Sequence, residues 1–265
     1  MKAPKFRSYA QNMEDIRLWR ALRHVRQGRY IDVGAWDPRV DSVSRGFYEL
    51  GWRGVHFEPH PTHAARLRTD RPDEVVHEIA LSDHQGELRF HLVGDDGTST
   101  GNAELARAAA GAHGSVREIV VPMTTLAHAC GDLAGKDVHW LKIDVEGMEE
   151  QVLRGWDAGA VRPWVVVVEA TQPHTRIDTH HTFAPILDSA DYVPAAFDGL
   201  NRYYVARERE ELVAPLAEPA SVLDLIEGCE LSATSPFVAP HIRRLESSWS
   251  WRITRPLRQI GRAHV

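Results

Sequence analysis

Apolar and polar positions along this chain recur in two rhythms, one helical and one extended. Over residues 8–27, Ile16, Trp19, Leu22 and Val25 fall at spacing three and Gly28 follows, which predicts a helix closing at that glycine. Tyr30, Ile31 and Val33 predict a strand over 29–33. Residues 41–50 predict a helix that turns Val43, Phe47 and Leu50 inward, and 54–58 a second strand. Pro61 opens a helix over 61–69, where proline suits the first turn. Val75–Ala80 predicts a third strand, and Gly86–Val93 alternates as an exposed edge strand does. Residues 94–114, rich in Gly, Ala and Ser, predict a mobile excursion. A short strand at 119–123 and the start of a helix at 124–130 follow. Residues 139–144 predict a strand, 148–155 a helix, and 164–169 a strand whose unbroken valines suit the centre of a covered parallel sheet. Tyr192–Phe197 and Arg202–Ala206 flank Asp198-Gly199-Leu200-Asn201, a hairpin signal.

Strands alternating with helices predict an α/β fold with a mostly parallel central sheet, closed by a C-terminal antiparallel hairpin and followed by a helical tail. The divisions are a helical cap over 1–28, the sheet domain over 29–206, and a helical, basic-aromatic extension over 207–265. A length of 265 residues suits one such domain with extensions. The net charge of -6 argues against wholesale nucleic-acid binding. No apolar stretch approaches the roughly 20 residues that span a bilayer. The basic start, Met1 to Arg7, lacks the apolar core of a signal peptide. Cys130 and Cys229 fit isolated thiols in a reducing cytoplasm better than a disulfide framework. Residues 241–265 carry six Arg and one acid, with Trp249 and Trp251 among them. They read as an amphipathic helix packed on the domain or on a second copy in a homo-oligomer, or else as a basic-aromatic surface for a membrane or anionic glycan.

The chemistry concentrates at two strand ends. Tyr30-Ile-Asp-Val-Gly34 closes the first strand on a glycine turn, and Gly54-Val-His-Phe-Glu58 closes the second on a carboxylate. A glycine turn admits a nucleoside close to the backbone, and an acid at the next strand end can take both ribose hydroxyls. The turn reads Gly34-Ala35-Trp36-Asp37-Pro38 and lacks the G-x-G-x-x-G spacing of a pyrophosphate cradle, so a ligand without phosphates fits better.

Five ordered segments are similar to the FkbM family of S-adenosylmethionine-dependent methyltransferases. They are Ser8-Tyr-Ala-Gln-Asn-Met-Glu-Asp15, Tyr30–Pro38, Gly51-Trp-Arg-Gly54 leading to Phe57-Glu-Pro59, Leu141-Lys-Ile-Asp-Val-Glu-Gly147, and Asp198-Gly-Leu-Asn-Arg-Tyr-Tyr204. Pro219-Ala-Ser-Val-Leu-Asp224 resembles a later family segment, so the resemblance covers about residues 8–227. It implies a Rossmann-like methyltransferase fold and methylation of hydroxyl groups, often on sugars or natural products. The family's first turn often reads Gly-Ala-Asn-Asp-Gly, so no contact is carried over onto Trp36 or Pro38. Ser248–Arg258 is loosely similar to tails of bacterial glycan-assembly enzymes.

The resemblance implies roles for particular residues. Glu58 would hold the ribose hydroxyls, and Asp32 the turn and the methionine ammonium. Ser82 and Asp83 would meet the adenine edge, with turn-capping as the alternative for Asp83. Ser42 and Ser44 would reach the cofactor or cap the helix that follows. Gln11 and Glu14 would close over the methionine end, with a surface helix as the alternative. Asp144 and Glu169 stand at the strand ends where such enzymes bring their catalytic groups, and Asp144 also borders the cofactor. With Glu146 and His174 they form an oxygen-rich set able to act as bases or to hold Mg²⁺ or Mn²⁺. The alternative for Asp144 and Glu146 is capping the next helix. Lys142 would organise these acids. His181, Asn201 and Arg202 would face the acceptor, a small molecule or glycan, and 94–114 would close as a lid. The other pairs among the fifteen histidines show no ligand framework. An NAD-dependent oxidoreductase or epimerase, and a silent scaffold in a glycan-assembly complex, are the rival readings.

Overall fold

The computed structural model describes residues 6–93, 99–113, 116–172, 175–224, 226 and 228–229. His174 and the basic-aromatic segment 241–265 lie outside the described residues. The chain opens with strand β1 (Arg7–Ser8) and helix α1 (Glu14–Leu22). Then β2 (Arg29–Val33), α2 (Arg45–Glu49), β3 (Arg53–Phe57), α3 (Pro61–Asp70) and β4 (Val75–His77) alternate. An excursion follows: β5 (Ala80–Ser82), β6 (Gly86–Val93), α4 (Ala103–His113) and β7 (Val116–Thr125). The alternation resumes with α5 (Leu126–Ala129), β8 (Val138–Ile143), α6 (Glu149–Arg154), β9 (Pro163–Glu169) and α7 (Ala184–Ser189). The hairpin β10 (Tyr192–Phe197) and β11 (Asn201–Ala206), helix α8 (Val213–Ala217) and β12 (Gly228–Cys229) complete it.

Seven strands form the main sheet in the order β10-β11-β9-β8-β2-β3-β4. Every pairing from β9 to β4 is parallel, and β11 runs antiparallel to both neighbours. This is the Rossmann-like, mostly parallel sheet closed by an antiparallel hairpin. From β2 the chain steps outward to β3 and β4, then returns to lay β8 on the other side of β2. The carboxyl ends of β2 and β8 therefore flank a topological switch point, where open α/β sheets bind ligands.

Strand alternation divides the core. Val166 and Val168 enter one buried cluster with Ile31, Val33, Leu141 and Phe183. Val165 and Val167 enter the other with Tyr30, Trp140, Trp19 and Leu216. Phe6 and Leu18 share that second cluster, so the N-terminal segment packs directly on the sheet. A three-stranded sheet, β5-β7-β6, stands beside the main one over its own small core of Ala80, Phe90, Leu92, Val121 and Met123.

Three elements differ from the sequence pattern, each for a local reason. The helix expected over 8–27 begins at Glu14, because the buried Asp15 carboxylate takes the backbone N–H groups of Tyr9 (2.8 Å) and Ala10 (3.2 Å) and holds them in a loop. The apolar run Val75–Ala80 is two strands: β4 stops at His77, and Ala80–Ser82 pairs with Met123–Thr125 in the smaller sheet. Gly86–Val93, by contrast, is an edge strand as its alternation predicts, paired along its length with β7 alone. Within the 94–114 excursion, Ala103–His113 is helical and is capped by Asn102, whose Oδ1 accepts the Glu104 N–H at 2.9 Å; residues 94–98 and 114 lie outside the described residues.

Candidate active site

A cleft of about 1140 Å³ opens at the switch point. That is large for a ligand pocket, typically about 300–1,000 Å³, and leaves room for two molecules. Gly34 sits in its wall at φ +77°, and a Cβ there would lie 1.7 Å from the Asp144 carbonyl oxygen. Only glycine lets the turn leaving β2 pass this close to the chain leaving β8. The Gly34 N–H donates to the Phe57 carbonyl at 2.9 Å, and the Asp144 N–H to the Val33 carbonyl at 3.1 Å, so the three strand ends are locked together.

Glu58 follows β3. Its Oε2 accepts the Trp36 N–H at 2.8 Å and its Oε1 the His60 N–H at 2.8 Å. Burial pushes its pKa up to about 7, against those two bonds, with the Asp32 charge adding to the rise. Asp32 is buried, and its Oδ1 has no hydrogen-bond partner among the described residues although the residue lines the cleft. An unpartnered buried carboxylate oxygen on a residue of the cleft wall is a group that a donor or a cation would satisfy. Trp36 adds a second signal: it stands at φ 47°, where a bulky side chain is strained, and its indole Nε1 is buried without a partner among the described residues.

Lys142 is the centre of charge. Its Nζ donates to Asp144 Oδ2 at 2.7 Å. Burial works against the ammonium, but Asp144, Asp32 and Glu14 outweigh it and hold its pKa above the ordinary value. Glu14 reaches this cluster from α1; its Oε1 accepts from Asn201 Nδ2 at 2.9 Å and its Oε2 from the Asn12 N–H at 2.9 Å. Burial, then the Asp198 charge, raise the Glu14 pKa to about 8. Glu169, at the end of β9, is buried beside Asp144, Glu146 and Glu149, and burial followed by those charges raises its pKa well above the carboxylate range. Its Oε2 has no partner among the described residues. Glu149 caps the turn before α6, accepting from Gly147 (3.0 Å) and Val145 (3.2 Å), with burial lifting its pKa to about 6.

The cleft thus gathers Gln11, Asp32, Gly34, Ser42, Glu58, Lys142, Asp144, Glu146 and Glu169 from the residues singled out in the sequence. The others stand elsewhere. Ser42 and Ser44 both accept from the buried Arg71 guanidinium, at 2.9 and 2.7 Å, and Ser44 is not in the cleft wall. Ser82 and Asp83 are outside it, because β5 carries them into the second sheet; Ile79, Ala80 and Leu81 line the cleft in their place. Asn201 is buried behind the wall, held by Glu14 and Asp198. Arg202 is paired with Asp178 at 2.5 Å, and His181 is exposed outside the lining. The expected divalent-ion site at Asp144 and Glu169 gains no support: among the described residues no group of three or more His, Cys, Asp and Glu could hold a metal, and the Lys142 ammonium already supplies the cation at Asp144. The sequence reading missed Asp198, Thr171, Arg176 and Phe197 as cleft residues. Asp198 had a signal, since it opens the hairpin turn and accepts the Leu200 and Asn201 N–H groups at 2.9 and 2.7 Å.

With this geometry in place, comparisons define the class. The model of the methyltransferase FkbM domain matches residues 32–194, well over half of the 265-residue chain, and the protein belongs to that family. The match is narrower than the resemblance read from the sequence, leaving Ser8–Asp15 and Asp198–Tyr204 outside it. No curated protein matches the chain significantly. Among solved structures, an FkbM methyltransferase from Methylobacillus flagellatus KT is 16% identical over 67% of this chain, with TM-score 0.43. The chain spans 43% of that protein's length. A TehB-like SAM-dependent methyltransferase from Corynebacterium glutamicum ATCC 13032 is 10% identical over 73% of this chain and 87% of its own, with TM-score 0.39. An O-methyltransferase from Bacillus cereus in complex with SAH is 11% identical over 77% of this chain and 84% of its own, with TM-score 0.37. No described helix is long and apolar enough to cross a membrane.

Proposed function

We propose that this chain is an S-adenosylmethionine-dependent O-methyltransferase acting on a hydroxyl of a saccharide or glycosylated metabolite. The observation that carries the reading is the pairing of the Gly34 turn with Glu58 at the switch point, in a cleft whose Asp32 carboxylate still lacks a donor. Glu58 fits two ribose hydroxyls, and Asp32 fits an ammonium. The NAD reading fits less well. A pyrophosphate needs a helix N-terminus at the glycine turn, and α2 starts only at Arg45.

When bound, S-adenosylmethionine supplies a methyl group on a sulfonium. The residues of the chain then have to orient the acceptor oxygen in line with it and take the hydroxyl proton. Asp144, which Lys142 fixes in place, would take that hydroxyl proton. Glu169, whose pKa burial and the neighbouring carboxylates raise, stands beside Asp144 in the cleft wall and helps to orient the acceptor. The decisive test pairs calorimetry with a methyl-transfer assay on a panel of sugars and glycan extracts, with and without EDTA. S-adenosylhomocysteine should bind, and turnover should survive EDTA. Equal affinity for NAD with none for S-adenosylhomocysteine would sink the reading, and loss of turnover in EDTA would move the mechanism to a metal.

A further inference from the structure

The described lining of the cleft carries seven carboxyl side chains and, besides Lys142, a single arginine, Arg176. Lys142 is buried and paired. Arg176 is exposed and makes no hydrogen bond or ion pair with any described residue. A cation with no partner among the described residues, in the wall of an acidic cleft, is available to a ligand; Arg202 and Arg162 by contrast sit on Asp178 and Glu208.

Arg176 is held in a short closed loop rather than on a free arm. Thr171 and Asp178 form an antiparallel bridge, the Gln172 N–H donates to the Ile177 carbonyl at 2.9 Å, and the Ile177 N–H donates to Thr175 Oγ1 at 3.1 Å. The same loop anchors an aromatic surface. Asp178 at its base takes Arg202, and the Arg202 guanidinium lies 4.6 Å from the Phe197 ring centroid. Phe197 is 43% exposed and lines the cleft. One face of its ring is therefore backed by a guanidinium that is itself pinned, which makes the ring a rigid apolar platform. Both residues stand on the β9–β11 side, across the cleft from Gly34 and Glu58, where an acceptor would lie.

We propose that this corner is an acceptor subsite for a pyranose ring bearing an acidic group, with the apolar ring face on Phe197 and the carboxylate or phosphate on Arg176. The proposal rests on the methyltransferase reading for its purpose, but its binding chemistry stands apart from it. Arg176 supplies the forked donors that match a carboxylate or phosphate. The surrounding carboxyls repel any anion that Arg176 does not hold, so the subsite selects for placement as well as for charge.

The test is equilibrium binding of glucuronate, glucose 6-phosphate and methyl glucoside to the full chain, with and without S-adenosylhomocysteine. Wild type should bind at least one acidic sugar about tenfold or more tighter than the neutral one, as a charge-assisted contact allows. The preferred acid tells carboxylate from phosphate. Arg176→Gln should abolish or reverse that preference, Phe197→Ala should weaken all three sugars, and neither should change the affinity for S-adenosylhomocysteine. Equal binding of acidic and neutral sugars by wild type, or a preference that survives Arg176→Gln, overturns the proposal. Failure of S-adenosylhomocysteine to bind overturns the methyltransferase reading instead, and the sugar series on the cofactor-free protein still decides this one.

Discussion

Two buried cations flank the Asp32 side of the sheet, and they are built in opposite ways. Arg71 donates to the Pro38 carbonyl (2.7 Å), Ser42 (2.9 Å) and Ser44 (2.7 Å), and lies 3.6 Å from Glu74. Glu74 in turn accepts from Tyr30 at 2.6 Å and contacts His56 at 2.8 Å. Burial raises the Glu74 pKa, but His56, Tyr30 and Arg71 outweigh it and hold it below the ordinary value. Around Lys142 the balance is reversed: the carboxyls outnumber the cation, Glu14 and Glu169 are raised, and oxygens of Asp32 and Glu169 lack partners among the described residues. The Arg71 network holds its acid ionised, although Arg71 Nε and His56 Nδ1 also lack partners among the described residues. The Lys142 network, whose acids are pushed up, is waiting for a ligand's donors and charges. The two meet at Asp32, whose Oδ2 lies 3.8 Å from His56 Nδ1.

The largest effect expected from breaking this contrast is on Arg71. Arg71→Leu strands the buried Glu74 carboxylate and removes the bonds to Pro38, Ser42 and Ser44, so urea denaturation should show a loss of about 3–5 kcal/mol. Lys142→Met should cost clearly less, roughly 1–3 kcal/mol at pH 7, because acids with raised pKa values can take up a proton instead of remaining charged. Its loss should shrink further at pH 5.5, while methyl transfer falls by about 100-fold or more at either pH. Equal stability losses in the two variants would erase the distinction between a structural and a functional network.

Much of this was open to a reader of the sequence, and the rest was hidden for physical reasons. The strand over 29–33 and the strand over 86–93 stand where the pattern put them, because alternation is a local property. The Gly34 and Glu58 ends were legible for the same reason. The break between β4 and β5 was not, since Val75, Val76, Ile79 and Ala80 read as one apolar run; that single error carried Ser82 and Asp83 to the wrong place. Arg71 gave no sign at all: its partners come from Tyr30 to Glu74, and no spacing announces them. Glu14 and Asn201 meet across 187 positions of sequence, so the acid cluster over Lys142 is a product of the fold.

Next in size is the cofactor end. Glu58→Gln keeps the shape but loses the charge that two ribose hydroxyls would seek, and S-adenosylhomocysteine affinity should fall about tenfold in calorimetry. The Glu58 pKa of about 7 gives a second reading. Wild-type affinity should rise between pH 6 and 8 as the carboxyl ionises, and the variant should lose that rise.

A smaller effect should appear in the stability of the ligand-free protein against pH. Glu14 (about 8), Glu58 (about 7), Asp15 and Glu149 (both about 6) keep their protons in the folded state at pH values where the unfolded chain has released them. Folding therefore weakens as pH rises from about 4.5 towards 8. Asp178, lowered to about 2 by Arg202 and His180 against burial, works the other way, and its contribution is lost only below about pH 4. The melting temperature should peak at about pH 4–4.5 and decline towards pH 8. Glu14→Gln should flatten the upper part of that decline. A melting temperature that climbs steadily to pH 8 would mean these acids are ionised in the folded protein.

The smallest effect is expected at Asp83, and it separates the two ways of placing the adenine edge. If the strand over 75–80 were continuous, Asp83 would stand at its end, over the cofactor. With β4 ending at His77, Asp83 lies instead at the surface beside His84, 2.6 Å away, and the cleft wall at this point is Ile79, Ala80 and Leu81. An apolar wall contacts an adenine face and leaves the exocyclic amine to the backbone or to water. Asp83→Asn should therefore leave S-adenosylhomocysteine affinity within about twofold and stability within ~0.5 kcal/mol, as surface substitutions usually do. Ile79→Asp should weaken binding several-fold, because it sets a solvated charge against the ring face. A tenfold loss at Asp83 with none at Ile79 would restore the single-strand reading and move the cofactor towards the smaller sheet.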